Sequence, residues 1–107
     1  MLELDETYNG KNVELQISQQ FEIRLPEIPT TGFQWKLVSS GEPACVALDN
    51  FYEQPQIHSL DSEGKHYWRF QAALEGLGNI ELVYQRPWEQ GATPMQQFRL
   101  GVHITAQ

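Results

Sequence analysis

Apolar and polar residues alternate along most of this chain. Val13, Leu15 and Ile17 are separated by Glu14 and Gln16, and Phe21, Ile23 and Leu25 by Glu22 and Arg24. The same period of two runs through Trp35 and Leu37, through Trp68, Phe70, Ala72 and Leu74, through Ile80, Leu82 and Tyr84, and through Phe98, Leu100, Val102 and Ile104. Successive side chains of a strand point to opposite faces, so each run predicts a strand with one face in a core and the other in water. No segment carries an apolar stripe at helical spacing. Turn-forming clusters separate the runs: Asn9-Gly10, Pro29-Thr30-Thr31-Gly32, Gly41-Glu42-Pro43, Gly76-Leu77-Gly78 and Gly91-Ala92-Thr93-Pro94. Short alternating strands divided in this way predict an all-β fold, a sandwich or a barrel. Ser18-Gln19-Gln20 reads as a corner or a hairpin, and residues 50–65, with Pro55 and Gly64, as an irregular loop holding a short edge strand. The acidic first ten residues would fray unless Leu2, Leu4 and Tyr8 add an edge strand.

Composition narrows the function more than the fold. The 107 residues predict a single domain over the whole chain, large enough to bury a core without covalent staples. Fourteen acidic and seven basic residues leave a net charge of −7, which disfavours a phosphate-binding surface and so a nucleic-acid partner. The single cysteine, Cys45, rules out an intrachain disulfide and a multi-cysteine metal site. No apolar run approaches the ~20 residues of a membrane helix, so no membrane partner is expected. The amino terminus lacks the basic start and apolar stretch of a signal peptide; a periplasmic or secreted location would require a leader already removed.

Catalytic and metal readings are weak beside their structural alternatives. Cys45 could be a nucleophile with His58, His66 or His103 as base, but it lies in the small apolar run Ala44-Cys45-Val46-Ala47-Leu48, where a buried thiol is the simpler expectation. His58 and His66 could share a metal with Asp61 or Glu63, although their spacing matches no standard ligand pattern and solvated loop residues explain it equally well. Gly76-Leu77-Gly78 lacks the third glycine and following helix of a dinucleotide site and reads as a turn. No cofactor is expected.

Two segments carry more. In Pro26-Glu27-Ile28-Pro29-Thr30-Thr31-Gly32-Phe33-Gln34-Trp35, Pro29 fixes its own φ and biases Ile28 toward extended geometry. Thr30 and Thr31 are stiff at χ1, and Gly32 can take a backbone conformation other residues avoid. The result is either a tight turn or a binding loop with little ordering left to do. In Tyr84-Gln85-Arg86-Pro87-Trp88-Glu89, Pro87 ends the preceding strand and leaves Trp88 in a polar loop, either folded back on the core or exposed as an anchor.

Together these segments resemble the chagasin family of cysteine protease inhibitors. The likeness rests on Pro29-Thr30-Thr31-Gly32-Phe33-Gln34-Trp35 and Arg86-Pro87-Trp88, in that order, with the Asn9-Gly10-Lys11 turn and Glu22-Ile23-Arg24-Leu25-Pro26 before them. It implies an immunoglobulin-like β-sandwich that binds papain-like cysteine proteases reversibly, as a monomer, through three loops at one end. By resemblance, Pro29, Thr30, Thr31 and Gly32 would enter the catalytic cleft and cover the nucleophilic cysteine, Arg86, Pro87 and Trp88 would grip one side, and a glycine-rich loop the other. Only Gly64 matches that last loop, and Ile28 stands where the family pattern has Asn. The alternatives from other classes are a sandwich module that binds carbohydrate or a surface protein through Trp88 and Tyr84, and a plain structural domain.

Overall fold

A computed structural model describes residues 1–55, 63–89 and 91–106. Among the described residues, eight strands form two four-stranded sheets packed face to face. They are β1 (Leu2–Leu4), β2 (Lys11–Gln16), β3 (Gln20–Glu27), β4 (Gln34–Ser40), β5 (Cys45–Glu53), β6 (Gly64–Ala72), β7 (Gly76–Gln85) and β8 (Gln96–Thr105). One sheet has the order β1-β3-β6-β5 and the other β2-β8-β7-β4. With the first strand shared between the two sheets, this is an immunoglobulin-like sandwich. The sharing follows from a break. Asp5 accepts the Thr7 amide at 3.0 Å and caps a 3₁₀ turn over Glu6–Tyr8, which carries the chain from β1, parallel to β3, to β2, parallel to β8.

Alternation places the core as expected. Phe21, Ile23, Leu25 and Phe70 of one sheet face Leu15, Ile80, Leu82, Phe98, Leu100 and Ile104 of the other, all essentially excluded from solvent. Phe21 and Phe70 stack across their strands with ring centroids 5.3 Å apart.

The departures have physical causes. Ser18-Gln19-Gln20 is a corner between sheets rather than a hairpin, with Ser18 at φ 77°. Gly76 and Gly78 belong to β7, and the turn sits earlier, at residues 73–75; Gly78 is there because a Cβ would stand 2.7 Å from the Gly41 carbonyl oxygen. Residues 50–53, read as irregular, finish the nine-residue edge strand β5. Its period is hidden because most of it is exposed and a register shift between Ala47 and Asp49 interrupts the alternation.

The pairings bring the ends of β3, β5 and β7 and the starts of β4, β6 and β8 to one pole, since Glu27 pairs with Gly64, Glu53 with Lys65, Gln34 with Gln85, and Tyr84 with Gln96.

Candidate functional site

The β3–β4 connection must cross from one sheet to the other, and its residue types set its shape. Ile28 is extended, at φ −111° and ψ 102°, as a residue before proline should be. Pro29–Thr31 then form a 3₁₀ turn, and Gly32 closes it at φ 80°, a left-handed conformation that suits glycine. The turn is bonded internally. Ile28 C=O accepts the Thr31 amide at 3.2 Å and the Thr31 hydroxyl at 2.8 Å, Pro29 C=O accepts the Gly32 amide at 3.1 Å, and Thr31 Oγ1 accepts the Phe33 amide at 3.2 Å. Pro29, Thr30 and Thr31 are exposed. Ile28 gives no side-chain cap; the Thr31 hydroxyl instead donates back to the Ile28 carbonyl and closes the turn from its other end.

The segment that begins the β7–β8 connection packs directly on this loop. Arg86 Nε donates to Thr31 C=O at 3.3 Å, and its Nη1 donates to Glu89 Oε1 at 3.2 Å. The guanidinium lies 4.5 Å from the Phe33 ring centre and 5.9 Å from that of Trp88. Trp88 is 70% exposed, yet its ring edge rests on Gly32, where a Cβ would approach Trp88 Cη2 to 2.7 Å. The indole is thus exposed on the loop surface rather than packed in the core. Gly32 therefore serves both its own φ and the seating of the indole.

Beneath this surface lies an aromatic floor. Tyr84 stacks on Phe33 at 5.4 Å and meets Trp35 at 4.9 Å, and its hydroxyl accepts the Ile28 amide at 3.2 Å. Trp35, 6% exposed, donates its backbone N–H to Glu27 Oε1 at 2.9 Å and its indole N–H to Pro26 C=O at 2.8 Å. Glu27 is itself buried at 6% exposure, with His66 Nδ1 3.2 Å from the same oxygen. Tyr52, whose hydroxyl reaches Glu27 C=O at 3.4 Å, titrates above the usual tyrosine range through burial and the negative charge of Glu27.

Seven of the sequence-derived site residues, Pro29, Thr30, Thr31, Gly32, Arg86, Pro87 and Trp88, thus fall in two segments that the fold brings together. Gly64 lies at the same pole but outside both segments. It opens β6 beside Glu27, is buried, and has the Tyr52 hydroxyl where a Cβ would be, so its lack of a side chain is a packing requirement. Cys45 is fully buried, and desolvation pushes its thiol up to about 11, the reverse of what a nucleophile needs. His66 sits in β6 rather than in a solvated loop: its Nε2 is 2.8 Å from Asn50 Oδ1 and its ring stacks on Trp68 at 4.7 Å. His58 and Asp61 lie outside the described residues.

Glu27 and His66 were not singled out as partners by motif, although a signal exists. Glu27 continues the inward row Phe21, Ile23, Leu25, and His66 opens the inward row Trp68, Phe70, Ala72. A carboxylate and an imidazole each at the end of an apolar row predict a pair at the mouth of the sandwich.

Two exposed, mutually bonded segments at one end of a β-sandwich, with its one thiol buried, make a surface suited to binding rather than to thiol chemistry. Known proteins agree. The model of the chagasin family peptidase inhibitors, I42, matches residues 14–102, and the chain belongs to that family. Chagasin of Trypanosoma cruzi is 26% identical over 95 residues, covering 85% of this chain and 86% of that protein. Amoebiasin-1 of Entamoeba histolytica is 29% identical over 103 residues, covering 96% and 99%. Among solved structures, the cysteine protease inhibitor EhICP2 of Entamoeba histolytica shares the fold at a TM-score of 0.83 with 19% identity, covering 97% of this chain and 94% of that one. The solution structure of amebosin aligns at 0.79 with 29% identity, covering 97% of both chains.

Proposed function

We infer that this protein is a reversible inhibitor of papain-like cysteine proteases, and an inhibitor rather than an enzyme, in keeping with its family. The observation that carries the reading is the joining of the two motif segments into one exposed surface, by Arg86 on Thr31 C=O and Trp88 on Gly32. In this reading Pro29, Thr30, Thr31 and Gly32 enter the catalytic cleft, while Arg86, Pro87 and Trp88 lie along one of its walls. Gly64, at the start of β6, would belong to the grip on the other wall, and its lack of a side chain also admits Tyr52 beside Glu27.

The geometry explains why such a loop would block the cleft without being cut. A protease needs an extended peptide whose carbonyl reaches both the thiolate and the oxyanion donors. Here the carbonyls of Ile28, Pro29 and Thr31 already accept bonds from the turn or from Arg86, and the 3₁₀ turn is not extended. The loop fills the space a substrate would occupy while these three carbonyls are already bonded within the protein. A loop surface of this kind would bury about 800 Å² on each partner, the usual scale for protease–inhibitor pairs. One copy of the chain suffices, and no cofactor takes part.

Family membership favours this reading over a carbohydrate-binding module. The test is a titration of papain with the purified protein. Activity should fall in proportion to added protein and vanish near one equivalent, with serine proteases and metalloproteases unaffected. Full papain activity in the presence of micromolar folded protein would refute it.

A further inference from the structure

We propose that Glu27 is the positioning residue of the Ile28–Phe33 loop, held in place by His66. The proposal rests on the inhibitor reading for its consequence in binding, but its structural core can be measured without a protease.

The loop has an unusual anchoring problem. It leaves one sheet at Glu27 and enters the other at Gln34, so no ladder of strand hydrogen bonds clamps its two ends together, as a hairpin would. Ile28 contributes no side-chain bond to the turn that follows. The ends are joined instead through Trp35, whose backbone N–H reaches the Glu27 carboxylate at 2.9 Å and whose indole N–H reaches Pro26 C=O at 2.8 Å. Glu27 thereby ties the loop's first flank to its last across eight residues.

The carboxylate is fixed in turn. His66 Nδ1 lies 3.2 Å from Oε1, and the imidazole is held by Asn50 at 2.8 Å and by its stack on Trp68, 13° from coplanar. Groups from β4 and β6 thus hold one oxygen, and β5 holds the imidazole behind it. An apolar residue would continue the inward row of β3 and fill the same place without desolvating a charge, so the carboxylate's burial is explained by geometry rather than by core stability. Glu22 shows the other way of burying a carboxylate: at 3% exposure it lies between Arg24 and Arg69, each at 2.9 Å, on the outer face and away from the loop.

Two variants separate positioning from packing. Glu27→Leu keeps an inward side chain and removes the acceptor, whereas Glu27→Gln keeps an oxygen for the Trp35 and His66 donors. Amide exchange in the free protein should be at least about tenfold faster at Trp35 and Gly32 in Glu27→Leu, and near the native rate in Glu27→Gln. Against papain, Glu27→Leu should raise Kd about tenfold, chiefly through slower association, because the competent loop conformation becomes a minority. Glu27→Gln should restore it. Native exchange rates in Glu27→Leu would overturn the proposal, and so would fast exchange with unchanged Kd. If the unmodified protein fails to inhibit papain, the inhibitor reading falls, while the exchange rates still decide whether Glu27 orders the loop. Should Glu27→Leu not fold, His66→Phe keeps a ring on Trp68, removes the bond to Glu27, and carries the same comparison.

Discussion

Trp35 and Trp88 flank the same loop surface, one from below and one from above. Trp35 is buried, stacked on Tyr84, and donates both of its N–H groups to the residues where β3 ends. Trp88 lies in the open, resting an edge of its ring on Gly32 with the Arg86 guanidinium nearby. Both belong to the motifs that give the family resemblance, yet one is buried and bonded under the loop and the other, in the proposed reading, presents surface to a partner. Shared membership in a motif therefore does not mean shared work: burial and hydrogen bonding divide residues that sequence spacing groups together.

The largest effect that would break this division is expected from Trp35→Ala. Removing a core aromatic costs about 3–5 kcal/mol of fold stability, and the Pro26 carbonyl loses its indole donor as well, while the backbone N–H to Glu27 remains. Denaturant unfolding should show a large drop in midpoint, with inhibition falling because the domain loses its shape.

Trp88→Ala should do the opposite. Binding should weaken by about 2–4 kcal/mol, as for a hot-spot aromatic, mostly through faster dissociation. Melting temperature should hardly move, since the ring is largely exposed. A large drop in melting temperature would place Trp88 among the supporting residues with Trp35.

Gly32→Ala sharpens the boundary between the two roles. A Cβ at φ 80° is strained by about 1–2 kcal/mol, and it would push against Trp88 Cη2. Both a modest loss of stability and a change in the Trp88 fluorescence environment should follow, along with weaker inhibition. The smallest effect belongs to Cys45→Ser. It should lower stability slightly and leave inhibition intact, because the thiol is buried away from the loops and held up at about 11. Loss of inhibition in a folded Cys45→Ser protein would revive a thiol mechanism.

How much of this was legible beforehand follows from what each feature depends on. Six of the eight strands show in the alternation, because one face of each is buried and the other wet. The edge strand β5 does not, since exposure of most of its length and the shift between Ala47 and Asp49 erase the period. The tight turn at Pro29-Thr30-Thr31-Gly32 is readable because proline and glycine restrict the backbone locally. Gly78 misleads, because it is required by a neighbour distant in sequence, Gly41, rather than by a turn. The packing of Arg86 and Trp88 on the first loop, some 55 residues away, depends on the sheets being assembled and leaves no local trace.

The central claim is that the Pro29–Gly32 loop covers the catalytic thiol of a papain-like protease. Alkylation of that thiol tests it directly: papain is mixed with one equivalent of the protein, treated with iodoacetamide, and the rate of modification is followed by mass spectrometry. The account predicts that the thiol is protected for as long as the complex lasts and that protection is released by dilution. Alkylation at the rate of free papain, while the two proteins are shown to be bound, would contradict it.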